Sequence, residues 1–117
     1  MFSLTSSHQY YLFSEPTDMR KSFDGLCGLV SSRMGLDPSN GNVYAFINKR
    51  RDRIKLLHWE MGGFALYYKR LEKGTLELPL EGLKEGRISW PQLVMVIEGI
   101  PLSAHKKKDR FLLKKSA

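Results

Sequence analysis

Residues 42–74 read NVYAFINKRRDRIKLLHWEMGGFALYYKRLEKG, and the fold turns on this stretch. Val43–Asn48 is rich in β-branched and aromatic residues, the composition of a strand. Lys49-Arg50-Arg51-Asp52 is a short, wholly charged connection to a second run, Arg53–Glu60. Met61-Gly62-Gly63 then turns the chain into a third run, Phe64–Leu71. Connections this short join antiparallel neighbours, because a parallel return needs a long crossover. The stretch is therefore expected to form an antiparallel β-meander. Alternation puts Arg53, Lys55, Leu57 and Trp59 on one face of the second strand, with Ile54, Leu56 and His58 on the other. In the third strand Ala65, Tyr67, Lys69 and Leu71 oppose Phe64, Leu66, Tyr68 and Arg70. Both faces are apolar in the middle and basic toward one end, so both need a cover.

Upstream of the meander, Tyr10–Phe13 is a short strand candidate able to pair with it, broken by Ser14-Glu15-Pro16. Thr17 or Asp18 then supplies a helix N-cap. Met19, Phe23, Leu26, Cys27, Val30 and Met34 recur at helical spacing and define one apolar face. Gly25 and Gly28 weaken this helix and suggest close approach to the sheet. Gly35 suits the left-handed position that ends it. Downstream, Thr75–Leu78 reads as a further short strand and Pro79–Gly86 as a loop. Ser89 with Gln92 three residues on fits a capping box, with Pro91 in the first turn. Leu93, Val94, Val96, Ile97 and Ile100 make that helix apolar enough to be buried, and Gly99 ends it.

The fold class expected is thus α+β: an antiparallel β-meander sheet with one helix packed on a face and a short C-terminal helix. The helix over residues 19–34 takes one sheet face. The C-terminal helix, another subunit or a ligand takes the other. A chain of 117 residues suits one domain, here 1–102, followed by a basic tail, 103–117.

Charge says more than composition. The formal net charge is +7, yet residues 1–48 carry three basic and four acidic side chains, and residues 79–102 carry two and three. The excess lies in residues 49–78, with eight basic and four acidic, and in residues 103–117, with six and one. Such clustering is the electrostatic footprint of a polyanion binder. The competing reading is a solvated hairpin tip and a solvated tail.

Catalytic constellations are poor. His8, His58 and His105 have no zinc-protease spacing, and His58 among apolar neighbours reads as a structural histidine. Asp18, Asp24, Asp52 and Glu60 show no spacing that proposes a two-metal site. No phosphate-binding or dinucleotide glycine motif occurs, and no Gly-x-Ser-x-Gly elbow. The one cysteine, Cys27, excludes an internal disulfide and sits on the apolar helix face, where packing is its role. No apolar run approaches a membrane span and the N-terminus does not read as a signal peptide, so a reducing cytoplasm is the expected setting. The residues favour binding over catalysis, with no metal and no cofactor.

Six blocks carry a family resemblance. Residues 17–26, TDMRKSFDGL, come first, followed by residues 43–46, VYAF, and residues 51–59, RDRIKLLHW. Residues 63–74, GFALYYKRLEKG, continue the series, which closes with Gln92-Leu93 and Glu98-Gly99-Ile100. In this order they resemble the TnpB, or Orf2-like, accessory protein of IS-66-type bacterial insertion sequences. That family shares only a name with the much larger RNA-guided nuclease also called TnpB. The resemblance implies a role in transposition. It also implies two neighbours, a DDE-type transposase and a second small accessory protein, in a complex on the element's terminal inverted repeats. It brings no catalytic residue set. His58 and the lysine-rich tail depart from the family's usual pattern.

The leading expectation is non-catalytic DNA binding in transposition, through backbone contacts from a basic hairpin and tail. The candidate contact residues are Lys49, Arg50, Arg51, Arg53, Lys55, Lys69, Arg70 and Lys73, with Lys106, Lys107, Lys108 and Arg110 in the tail. Asp18, Arg20 and Lys21 read as an ion-paired cap opening the helix. One alternative is an adaptor that docks on the transposase or second accessory protein through an apolar sheet face, without DNA contact. Another is a single-strand or RNA binder using Trp59, Tyr67 and Tyr68.

Overall fold

The computed structural model describes residues 4–78 and 86–98. Five strands form one sheet: β1 (Tyr10–Leu12), β2 (Val43–Ile47), β3 (Arg53–Glu60), β4 (Gly63–Arg70) and β5 (Arg87–Ile88). Their order across the sheet is β4-β3-β2-β1-β5. Two helices accompany them, α1 (Phe23–Ser32) and α2 (Trp90–Ile97).

β2, β3 and β4 are the expected antiparallel meander, with Val43 opposite His58 and Arg53 opposite Arg70. Glu60 and Gly63 pair across a two-residue turn in which Met61 (φ 50°) and Gly62 (φ 83°) both adopt left-handed backbone. That backbone twists with the flanking strands. The sheet as a whole is mixed, which corrects a purely antiparallel description. β1 runs parallel to β2, Tyr10 opposite Val43, while β5 runs antiparallel to β1. The connection from β1 to β2 contains α1, and a crossover of that length is what a parallel pair requires.

Strand register sorts the side chains onto two faces. Tyr10, Leu12, Val43, Ala45, Ile47, Ile54, Leu56 and Ile88 bury against Leu93 and Val96 of α2 and against Leu76. Tyr11, Phe13, Tyr44, Phe46 and Leu57 bury against Leu26 and Val30 of α1. The architecture is helix, sheet, helix, and α2 is the cover for the second face. Its capping box is formed as expected: Gln92 N–H donates to Ser89 Oγ at 3.2 Å, and Ser89 N–H donates to Gln92 Oε1 at 3.0 Å.

Three local expectations change. The first helix begins at Phe23, four residues later than a cap at Asp18 implies. The carbonyls of Met19 and Lys21 would accept the first helical bonds, and both instead accept bonds from the Lys55 ammonium. Thr75–Leu78 forms no strand; its Leu76 side chain is buried in the α2 face, and the fifth strand is Arg87–Ile88. Neither helix glycine abuts the sheet. A Cβ at Gly28 would meet open space, and one at Gly25 would meet the Lys21 side chain at 3.2 Å. Gly35 (φ 67°) does make the left-handed turn after α1. Gly99, Ile100 and the tail lie outside the described residues.

Candidate nucleic-acid interface

The cations gather at the end of the sheet where the β2–β3 hairpin turns. The turn is built from Asn48, whose Oδ1 accepts from the N–H groups of Asp52 and Arg53, both at 3.0 Å. Its amide donates to Asp52 Oδ1 at 2.6 Å, which occupies the one carboxylate of the tip. Arg51 N–H closes the turn on the Asn48 carbonyl at 3.0 Å, and Arg51 itself takes left-handed backbone (φ 59°). The segment after β4 folds across this tip, with Leu71 N–H on the Asp52 carbonyl and Leu76 N–H on the Arg51 carbonyl. Lys49, Arg50 and Arg51 therefore project into solvent from a backbone that is tied on two sides.

Arg53 and Arg70 stand opposite each other on the α1 face of the sheet. Each has a local partner. Arg53 Nη1 donates to the Tyr68 hydroxyl at 3.2 Å, and Arg70 Nη2 donates to Glu72 at 2.9 Å. Lys73 is exposed in the segment that crosses the tip. Lys69 points to the opposite face, where its Nζ lies 3.9 Å from Glu98 at the end of α2. It is thus separated from the other candidates.

Lys55 is placed differently from the rest. Its residue is only 5% exposed. Its ammonium donates to the carbonyls of Met19 and Lys21, both at 2.7 Å, and lies 4.6 Å from the centre of the Tyr68 ring. The charge is fully engaged inside the protein, where it fastens the loop before α1 to the sheet. That loop therefore lies beside the hairpin tip. A cleft of about 420 Å³ between them is lined by Asp18, Met19, Lys49, Arg50 and Arg53, among others.

Sequence reasoning missed the position of Arg20 and Lys21. The sequence places them in a helix cap, but they sit on this loop at the cationic end. Asp18 does form the expected ion pair: Arg20 Nε and Nη2 engage both its oxygens, and Arg20 N–H donates to Oδ1 at 2.9 Å. The guanidinium beside it holds the Asp18 carboxyl down at about 2. The pairing caps a turn rather than a helix. The signal available in the sequence was the density of charge in residues 18–21. Lys106, Lys107, Lys108 and Arg110 lie outside the described residues.

The aromatic candidates also separate. Trp59 is half-buried, edge-on to Phe64 with ring centres 4.9 Å apart. Tyr67 faces α2, in a small apolar cleft with Leu56, Trp90 and Ile97. Tyr68 is 47% exposed. His58 is buried, with Nδ1 at 3.4 Å from the Asn42 carbonyl and its ring edge-on to His8. Burial, and secondarily Asp24, pushes the Cys27 thiol up, away from thiolate chemistry. Among the described residues no cluster of His, Cys, Asp and Glu is arranged to hold a metal ion, and no helix is long and apolar enough to cross a membrane.

A family model described as IS66 Orf2-like protein matches residues 8–107. Among similar proteins is the uncharacterized protein y4jC of Sinorhizobium fredii, 31% identical over 97 residues, covering 81% of each chain. Another is the uncharacterized protein y4hO of the same organism, 31% identical over 84 residues, covering 72% of this chain and 73% of that one. No solved structure matches.

Proposed function

The chain belongs to the IS66 Orf2-like family, a family of transposition accessory proteins, and from that premise we propose that it binds DNA without catalysing a reaction. The observation that carries the reading is the convergence of cations at one end of the sheet. Arg20, Lys21, Lys49, Arg50, Arg51, Arg53, Arg70 and Lys73 outnumber Asp18, Asp52, Glu72 and Glu77 there. Their bearers are a tied hairpin, the loop beside it and the segment folded across it. Guanidinium and ammonium groups on a fixed backbone suit phosphate contacts, which position a protein on DNA without reading its sequence. The DNA would be the element's terminal repeats, and the setting the bacterial cytoplasm. A DDE-type transposase and a second accessory protein are the proposed companions.

The adaptor alternative draws on one feature, the outer edge of β4, which has no strand partner among the described residues. Both sheet faces carry a helix, which leaves such an adaptor little apolar surface away from β4.

The test is fluorescence anisotropy with a labelled terminal-repeat duplex across a salt series, comparing wild type with the double variant R50E/R51E. Wild type should show log K falling linearly with log salt, and the variant should bind at least about tenfold more weakly with a shallower slope. Duplex binding that is indifferent to the two reversals overturns the hairpin tip as the contact surface, and no duplex binding even at low salt overturns the DNA reading and favours the adaptor.

A further inference from the structure

We propose that Tyr68 is a stacking site for an unpaired base, so that this surface takes single-stranded DNA beside the duplex phosphates. The inference rests on the DNA-binding reading and deepens it. Tyr68 is the one large aromatic side chain of the β3–β4 hairpin that is substantially exposed. The cluster under α1 takes in residues of β1, β2 and β3 with Phe64 and Leu66 of β4, but not Tyr68. An exposed tyrosine alone is common. Here the ring is held in place from two directions: the Lys55 ammonium lies over it at 4.6 Å, and Arg53 Nη1 binds its hydroxyl at 3.2 Å. A ring fixed before binding loses little side-chain freedom when a base stacks on it.

The cations around it are spaced to hold the same strand. Arg70 lies two residues further along β4 on the same face, roughly 7 Å away by the strand rise. That is about the reach from a base to the phosphate of its own nucleotide. Arg53 lies opposite Arg70 on β3. Arg70 is paired with Glu72, but both groups are exposed, and exposed ion pairs are weak enough to exchange for a phosphate. Base stacking on an aromatic ring tolerates any base, so the site would not read sequence. A protein acting at the ends of a mobile element meets frayed or cleaved strands as well as duplex. Phosphate contacts at the tip and a base on Tyr68 together fit such a junction.

The experiment titrates labelled oligo-dT and a labelled duplex, separately, into wild type, Y68L, Y68F and Y68W. Each variant is first checked for an unchanged urea midpoint. The expected result is a loss of about tenfold in oligo-dT affinity for Y68L, near-wild-type affinity for Y68F, and duplex affinity unchanged in both. Y68W should also add tryptophan emission above the background of Trp59 and Trp90, and oligo-dT should quench that added emission. Oligo-dT affinity that is the same in Y68L, or lost equally with duplex affinity, overturns the stacking site and leaves duplex binding standing. Failure of wild type to bind either probe at low salt overturns both this site and the DNA-binding reading.

Discussion

Lys55 carries a charge into the interior and meets two carbonyls and an aromatic ring there. Its two carbonyl partners, Met19 and Lys21, would otherwise be helix acceptors left without donors. The side chain therefore decides where α1 starts and where Arg20 and Lys21 stand. Hydrogen bonds to a charged group contribute more than neutral ones, and removing the donor leaves both acceptors unpaired in a half-buried loop. K55M should destabilise the protein by about 2 kcal/mol in urea unfolding. A steady urea midpoint would mean that the ammonium does not fasten the loop before α1. In the sequence Lys55 was indistinguishable from Arg53, its neighbour on the same strand face. The alternation predicted that shared face correctly, but the depth of cover over each position depends on how far the helix loop extends. That distance is set by tertiary packing, which residue spacing does not encode.

Among the elements, the legible ones were those with local causes. The meander followed from two short charged or glycine-containing turns, and α2 followed from Ser89 and Gln92 at capping-box spacing. The start of α1 was misplaced because apolar periodicity from Met19 onward continues through a turn held by Asp18 and Lys55. The Arg87–Ile88 strand was missed because two residues carry no alternation, and its pairing with β1 comes from across the molecule. The parallel sense of β1 was likewise a matter of topology. For α2 the local cause is directly testable. Ser89 Oγ satisfies an N–H at the start of a helix of eight residues, too short to form on propensity alone. S89A should lower stability by about 1 kcal/mol, and S89D should restore most of it, both read as shifts in the urea midpoint. An S89A midpoint equal to wild type would show that the helix is held by Leu93 and Val96 burial alone.

At the scale of the whole molecule, the formal charge of +7 matters less than its placement. The sequence showed that the excess lies in residues 49–78 and in the tail. The fold adds Arg20 and Lys21 to the hairpin end and turns Lys69 away to Glu98. Like charges crowded at one end repel, and they raise the free energy of the folded state as long as solvent leaves them unscreened. The Debye length falls from about 30 Å at 0.01 M salt to about 3 Å at 1 M, so added salt should remove that penalty. Sodium chloride raised across this range should increase the melting temperature by about 4 °C, equivalent to about 1 kcal/mol. R50E/R51E should melt higher than wild type at 0.01 M and show a smaller gain with salt, because it replaces two repelling cations with attracting anions. Equal salt gains in the two proteins would place the repulsion elsewhere in the chain. A further rise with sulfate beyond that with chloride at matched ionic strength, absent in R50E/R51E, would show that the crowded end captures an anion rather than merely being screened.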